Sequence, residues 1–99
     1  MRHKRIRFRH LALNGVRIEL RYGDLLVADH EAAQELDWEV VVATFETIEL
    51  DFSAYDVHME TADARQLWGS GLLVRSDGRS HVFRGDGALD GFSTDDFDC

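Results

Sequence analysis

Leu11-Ala12-Leu13-Asn14-Gly15-Val16-Arg17-Ile18-Glu19-Leu20-Arg21-Tyr22 is the stretch that decides the fold. Val16, Ile18, Leu20 and Tyr22 alternate with Arg17, Glu19 and Arg21, the period-two pattern of a strand with one buried face. Asn14-Gly15 is the preferred pair for a two-residue type I′ turn, because both central positions need positive φ. Such a turn sets Leu13 opposite Val16 and Leu11 opposite Ile18, so the four apolar side chains share one face. Further back, Ile6 and Phe8 fall out of phase with Leu11 and Leu13. One extra residue near Arg9 and His10, a β-bulge, keeps the apolar side inward.

Downstream of the hairpin, Gly23-Asp24 predicts a turn and residues 25–28 a short apolar strand. Residues 30–36 predict one short helix, N-capped by Asp29 and docked through Ala32, Ala33 and Leu36. Residues 38–43 are apolar in both phases, which predicts a central strand buried on both faces. Ile48, Leu50 and Phe52 predict a further half-buried strand. So do Tyr55, Val57, Met59 and Thr61, which alternate with Asp56, His58 and Glu60. Residues 66–75 carry Trp68, Leu72, Leu73 and Val74 around Gly69 and Gly71, glycines that mark a bend or a close backbone approach. Asp77-Gly78 then turns the chain into a strand over residues 80–84, and Leu89 and Phe92 serve as later anchors.

Short strands at close spacing predict an all-β, mainly antiparallel domain, a six- to seven-stranded small barrel or sandwich with one short helix. The expected organisation is a single domain over residues 1–92, with 1–5 as a flexible basic arm and 93–99 as an acidic, disordered tail. A chain of 99 residues supports one core and not two. The longest apolar run, residues 40–43, is far short of the roughly 20 residues of a membrane helix. No apolar segment follows the basic start as in a secretory signal, so a cytoplasmic location is the default expectation. Cys99 is the single cysteine, which excludes an intramolecular disulfide and a thiolate metal cluster.

Charge is distributed unevenly. The formal net charge is −8, yet Arg2, Lys4, Arg5, Arg7 and Arg9 all fall in the first ten positions and all nineteen acidic residues come later. The basic segment suits either cross-strand pairing, with Glu19 or with Asp95, Asp96 and Asp98, or contact with a nucleic acid or an acidic partner.

Signals for catalysis are weak. The chain has no Gly-x-Ser-x-Gly elbow, no phosphate loop and no Gly-x-Gly-x-x-Gly, and no cofactor is expected. Asp56, His58 and Glu60 share one strand face and, with His81 from another strand, form a candidate metal set. At a rise of about 3.3 Å per residue the first three span about 13 Å, so at most two of them reach one ion. Gly85-Asp86-Gly87 and Asp90-Gly91 lack the alternating oxygen ligands of a calcium loop and predict turns. Tyr22, Trp38, Tyr55 and Trp68 exceed what a small barrel must bury and are candidate interface residues for a protein partner or a second copy. The expected function is a non-catalytic binding or accessory module acting through protein contact or homodimerisation. The alternatives are a ligand- or metal-binding barrel with acid–base chemistry, and nucleic-acid contact through the basic N-terminal strand.

Overall fold

Asn14 (φ 51°) and Gly15 (φ 81°) both occupy the left-handed region, as a type I′ turn requires, and Leu13 pairs with Val16 and Leu11 with Ile18. The structure, a computed structural model, describes residues 2–30 and 35–98. From the turn outward the chain forms β1 (Arg2–Phe8), β2 (His10–Leu13), β3 (Val16–Ile18), β4 (Leu20–Asp29), β5 (Asp37–Thr44), β6 (Ala54–Glu60), β7 (Gln66–Ser76) and β8 (Ser80–Gly85), then a short 3-10 turn, Thr94–Asp98. The strands make one antiparallel sheet in the order β1-β4-β5-β8-β7-β6-β2-β3. No helix among the described residues is long and apolar enough to cross a membrane.

Only Arg9 separates β1 from β2, and only Glu19 separates β3 from β4. The four strands are therefore the two arms of one long hairpin, each broken where it changes neighbour. β1 pairs with β4, whereas β2 leaves for β6, and the Arg9 N–H donates to the Glu60 carbonyl at 2.9 Å to carry the ladder across. The bulge expected at Arg9 and His10 is this change of partner. It produces eight strands in place of six or seven, because both long strands split. One face of the sheet gathers Phe8, Leu11, Leu25, Val27, Trp38, Val40, Val42, Val57, Met59, Leu67 and Phe83 into a single buried cluster. With no covering helix among the described residues, the sheet must curl around that cluster to bury it. Each large apolar side chain so enclosed stabilises the fold by about 1.5–3 kcal/mol.

Small residues make room for the largest ones. The Trp38 indole lies against Gly69 and Gly85, where an added methyl group would overlap the ring, and its Nε1–H donates to the Gly87 carbonyl at 3.0 Å. The Phe8 ring covers Gly23 in the same way. Gly23-Asp24 is thus not a turn. β4 runs through it, with Gly23 opposite Phe8 and Asp24 opposite Arg7.

Other expectations are corrected by long-range contacts. Residues 48–52 form no strand; they belong to the loop from β5 to β6, where the Ile48 N–H donates to the Gly78 carbonyl, Leu50 packs on the core and Phe52 stays exposed. β5 is central in its pairing, between β4 and β8, but Trp38, Val40, Val42 and Thr44 are its buried face while Asp37 and Glu39 are exposed on the other. Four residues of the expected 30–36 helix, 31–34, lie outside the described residues. Asp29, the residue expected to cap it, ends β4 and pairs with Arg2 at 2.5 Å. Residues 2–5 are strand and no free arm, in register with β4 from Arg2 onward. At the other terminus, the segment expected to be disordered contains the 3-10 turn. Asp96 accepts from Arg65 Nη2 at 2.7 Å and from the Ser93 N–H at 2.8 Å, and the Arg2 guanidinium lies 4.9 Å over the Phe97 ring. Cys99 is outside the described residues.

Candidate functional site

Alternation along β1 sends Ile6 and Phe8 to the core and Arg5 and Arg7 to the outer face. On the adjacent β4, Asp24 points outward too, yet it is only 6% exposed because both guanidinia cover it. Arg5 Nη2 donates to its Oδ2 at 2.8 Å and Arg7 Nε to its Oδ1 at 3.0 Å. Burial alone would push the Asp24 carboxyl up; the hydrogen bonds and charges of Arg5 and Arg7 outweigh burial and hold it below the usual carboxylate range. Two cations share one anion, so the cluster keeps a positive balance.

The arginine face continues where the hairpin divides. Arg7, Arg9, His10, Arg17, Arg21 and Tyr22 line a cleft of about 580 Å³ between the diverging strands. Glu19 is the one carboxylate on its wall among the described residues. Arg17 Nη2 donates to His10 Nδ1 at 2.6 Å, since a guanidinium has no acceptor. Arg9 and Arg21 have no ion-pair partner among the described residues. A second cleft of about 520 Å³ shares Arg7 and Tyr22 and adds Arg5, Asp24, Leu26 and Val41. Tyr22, 42% exposed, stands between the two, with the Arg7 guanidinium 5.9 Å from its ring centre.

Of the basic residues singled out from sequence, Arg2 is engaged by Asp29, and Arg5 and Arg7 by Asp24. Lys4 lies in the field of Asp96. Glu19 pairs with none of them among the described residues. Among the described residues, Arg9 is the member of that set that lines the cleft with no ion-pair partner, and it is joined there by Arg17 and Arg21, which in the sequence are the polar phase of a strand. The register from Asn14-Gly15 held the signal: counted back from the turn, it sets Glu19 and Leu20 opposite His10 and Arg9, between Arg17 and Arg21.

The proposed metal set is not assembled. Asp56, His58 and Glu60 project outward from β6, where His58 Nε2 donates to Gln66 Oε1 at 2.8 Å and Gln66 Nε2 donates to Glu60 Oε1 at 3.3 Å. His81 lies on the inner face of β8, 1% exposed, with Nδ1 2.8 Å from Ser76 Oγ and Nε2 without a hydrogen-bond partner among the described residues. The sheet itself stands between His81 and the other three. Among the described residues, no three His, Cys, Asp or Glu side chains group as metal ligands. Burial lowers the His81 imidazole pKa and favours its neutral form.

The four candidate interface aromatics separate likewise. Trp38 is buried at 3% exposure, which removes it from any surface, because the glycines beside it open a slot for the indole. Tyr55 packs edge-on against Phe83 at 5.7 Å and donates its hydroxyl to the Asp51 carbonyl. Tyr22 and Trp68 are exposed, on β4 and β7 respectively. No protein-family model, no curated protein and no solved structure matches this chain.

Proposed function

We propose that the protein is a non-catalytic binding module whose recognition surface is the arginine cleft at the division of the long hairpin, and that it takes an anionic ligand. The observation that carries this reading is the convergence of Arg7, Arg9, Arg17 and Arg21 on one cleft of a chain with net charge −8, with Arg9 and Arg21 unpaired among the described residues. Clustering four cations costs Coulomb repulsion, and an anion offsets it. Guanidinium is also the side chain best shaped for bidentate contact with phosphate or carboxylate. The sharing of Asp24 by Arg5 and Arg7 holds one edge of the cleft in place before any ligand arrives.

Calorimetric titration with inorganic pyrophosphate at low ionic strength tests it. The expected result is saturable binding that weakens as salt rises. The Arg9→Gln/Arg21→Gln double variant should bind about tenfold more weakly or worse. Absence of binding, or binding indifferent to both substitutions, contradicts the reading.

A second reading, protein contact or self-association, is favoured by a separate observation. Phe52, Trp68, Leu72 and Val74 leave large apolar surface exposed along β7 and the loop beside it. Light scattering over a concentration series should then give a mass above that of the monomer, reduced by Leu72→Lys. A strict monomer at every concentration removes the self-association half of this reading.

A further inference from the structure

The two clefts that meet at Tyr22 differ in chemistry. The first is walled by Arg7, Arg9, Arg17 and Arg21. The second, sharing Arg7 and Tyr22, adds the exposed Leu26 and the half-buried Val41, with the Arg5–Asp24 ion pair along its edge. A ligand spanning both meets cations at one end and an aromatic ring with aliphatic neighbours at the other. A simple polyphosphate uses only the first half of that surface.

We infer that the ligand of the arginine cleft is a nucleoside phosphate, with its phosphates among Arg9, Arg17 and Arg21 and its base on the Tyr22 ring beside Leu26 and Val41. The inference rests on the anion-binding reading above and adds the ligand class to it. Either cleft is in the size range that encloses a small ligand. Tyr22 supplies a flat face at low conformational cost, and the Arg7 guanidinium beside it offers a second planar surface as well as charge.

The surroundings favour a single nucleotide over a polynucleotide. Glu39 lies exposed on the outer face of β5 to one side of the cleft, and Glu60 and Asp56 project from β6 on the other. A strand of nucleic acid leaving the cleft in either direction would run past carboxylates that repel its phosphates. A mononucleotide carries all its charge inside the basic patch.

The test compares inorganic pyrophosphate with adenosine, guanosine and uridine diphosphates in calorimetric titrations of the full chain, and adds a ten-residue oligothymidylate. The expected result is that at least one nucleoside diphosphate binds about tenfold more tightly than pyrophosphate, the margin that base stacking supplies. Tyr22→Ala should bring that ratio close to one, while Tyr22→Phe, which keeps the ring, should preserve it. Circular dichroism of each variant checks that the sheet is intact. Equal affinity for pyrophosphate and all three diphosphates in the wild-type chain overturns the nucleotide assignment and leaves the anion reading standing. Tighter binding of the oligothymidylate than of any diphosphate overturns it in favour of a nucleic acid. If no anion binds at all, both readings fail together.

Discussion

Asp24 and His81 show how the same sheet treats a buried ionisable group in two ways. Asp24 lies under two guanidinia, and their hydrogen bonds keep it charged although burial opposes the charge. Because its folded-state pKa is lowered, the stability it contributes is present above the ordinary carboxylate range and is lost as pH falls through the folded value. His81 has a hydroxyl contact at Nδ1 and, among the described residues, no hydrogen-bond partner at Nε2; burial favours its neutral form against the opposing pull of the Gly78 backbone and Asp77. Its folded pKa is also lowered, but here the protonated form is the charged one. The unfolded chain therefore takes up a proton first, and stability falls as pH drops below about 6.5 until the folded value is reached. We expect unfolding free energy, measured by urea titration between neutral and mildly acid pH, to decline through that window in the wild-type chain. His81→Leu should flatten the decline, and an unchanged slope in this variant would show that His81 is not its source.

Element by element, local chemistry was legible and partner choice was not. The Asn14-Gly15 turn, its register and the alternation along β6 follow from neighbouring residues, so they could be read directly. Gly23 could not, because the reason for a glycine there is the Phe8 ring on a strand fifteen residues away. Ile48, Leu50 and Phe52 look strand-like, but Leu50 packs on the core, the Ile48 N–H donates to the Gly78 carbonyl and Phe52 stays exposed. Gly69 was expected to mark a close approach, and the partner that approaches it is Trp38, which the sequence offered both to a buried strand and to an interface and which lies in the core. This packing makes a prediction for β8. Gly85→Ala should cost about 1–3 kcal/mol by forcing the indole aside. The cost should shrink in a Trp38→Phe background, as measured by a urea double-mutant cycle. Equal cost in both backgrounds would mean that Trp38 is not what the glycine accommodates.

For the molecule as a whole, the basic beginning and the acidic remainder are folded together, and most of the early cations are answered by Asp24, Asp29 and the Asp96 region. The unevenness of charge was therefore visible in the sequence, whereas its residue was not. What is left uncompensated depends on where β1 and β3 part from their partners, which brings Arg17 and Arg21 to Arg9 across a gap that no linear pattern marks. The proposed function requires that an anion binds in that cleft. Backbone amide correlation spectra recorded during a pyrophosphate titration test it most directly. Saturable shifts confined to residues 7–10 and 17–22 are expected; shifts scattered over the surface, or centred on β6 around His58 and Glu60, would mean that the cleft is not where the anion binds.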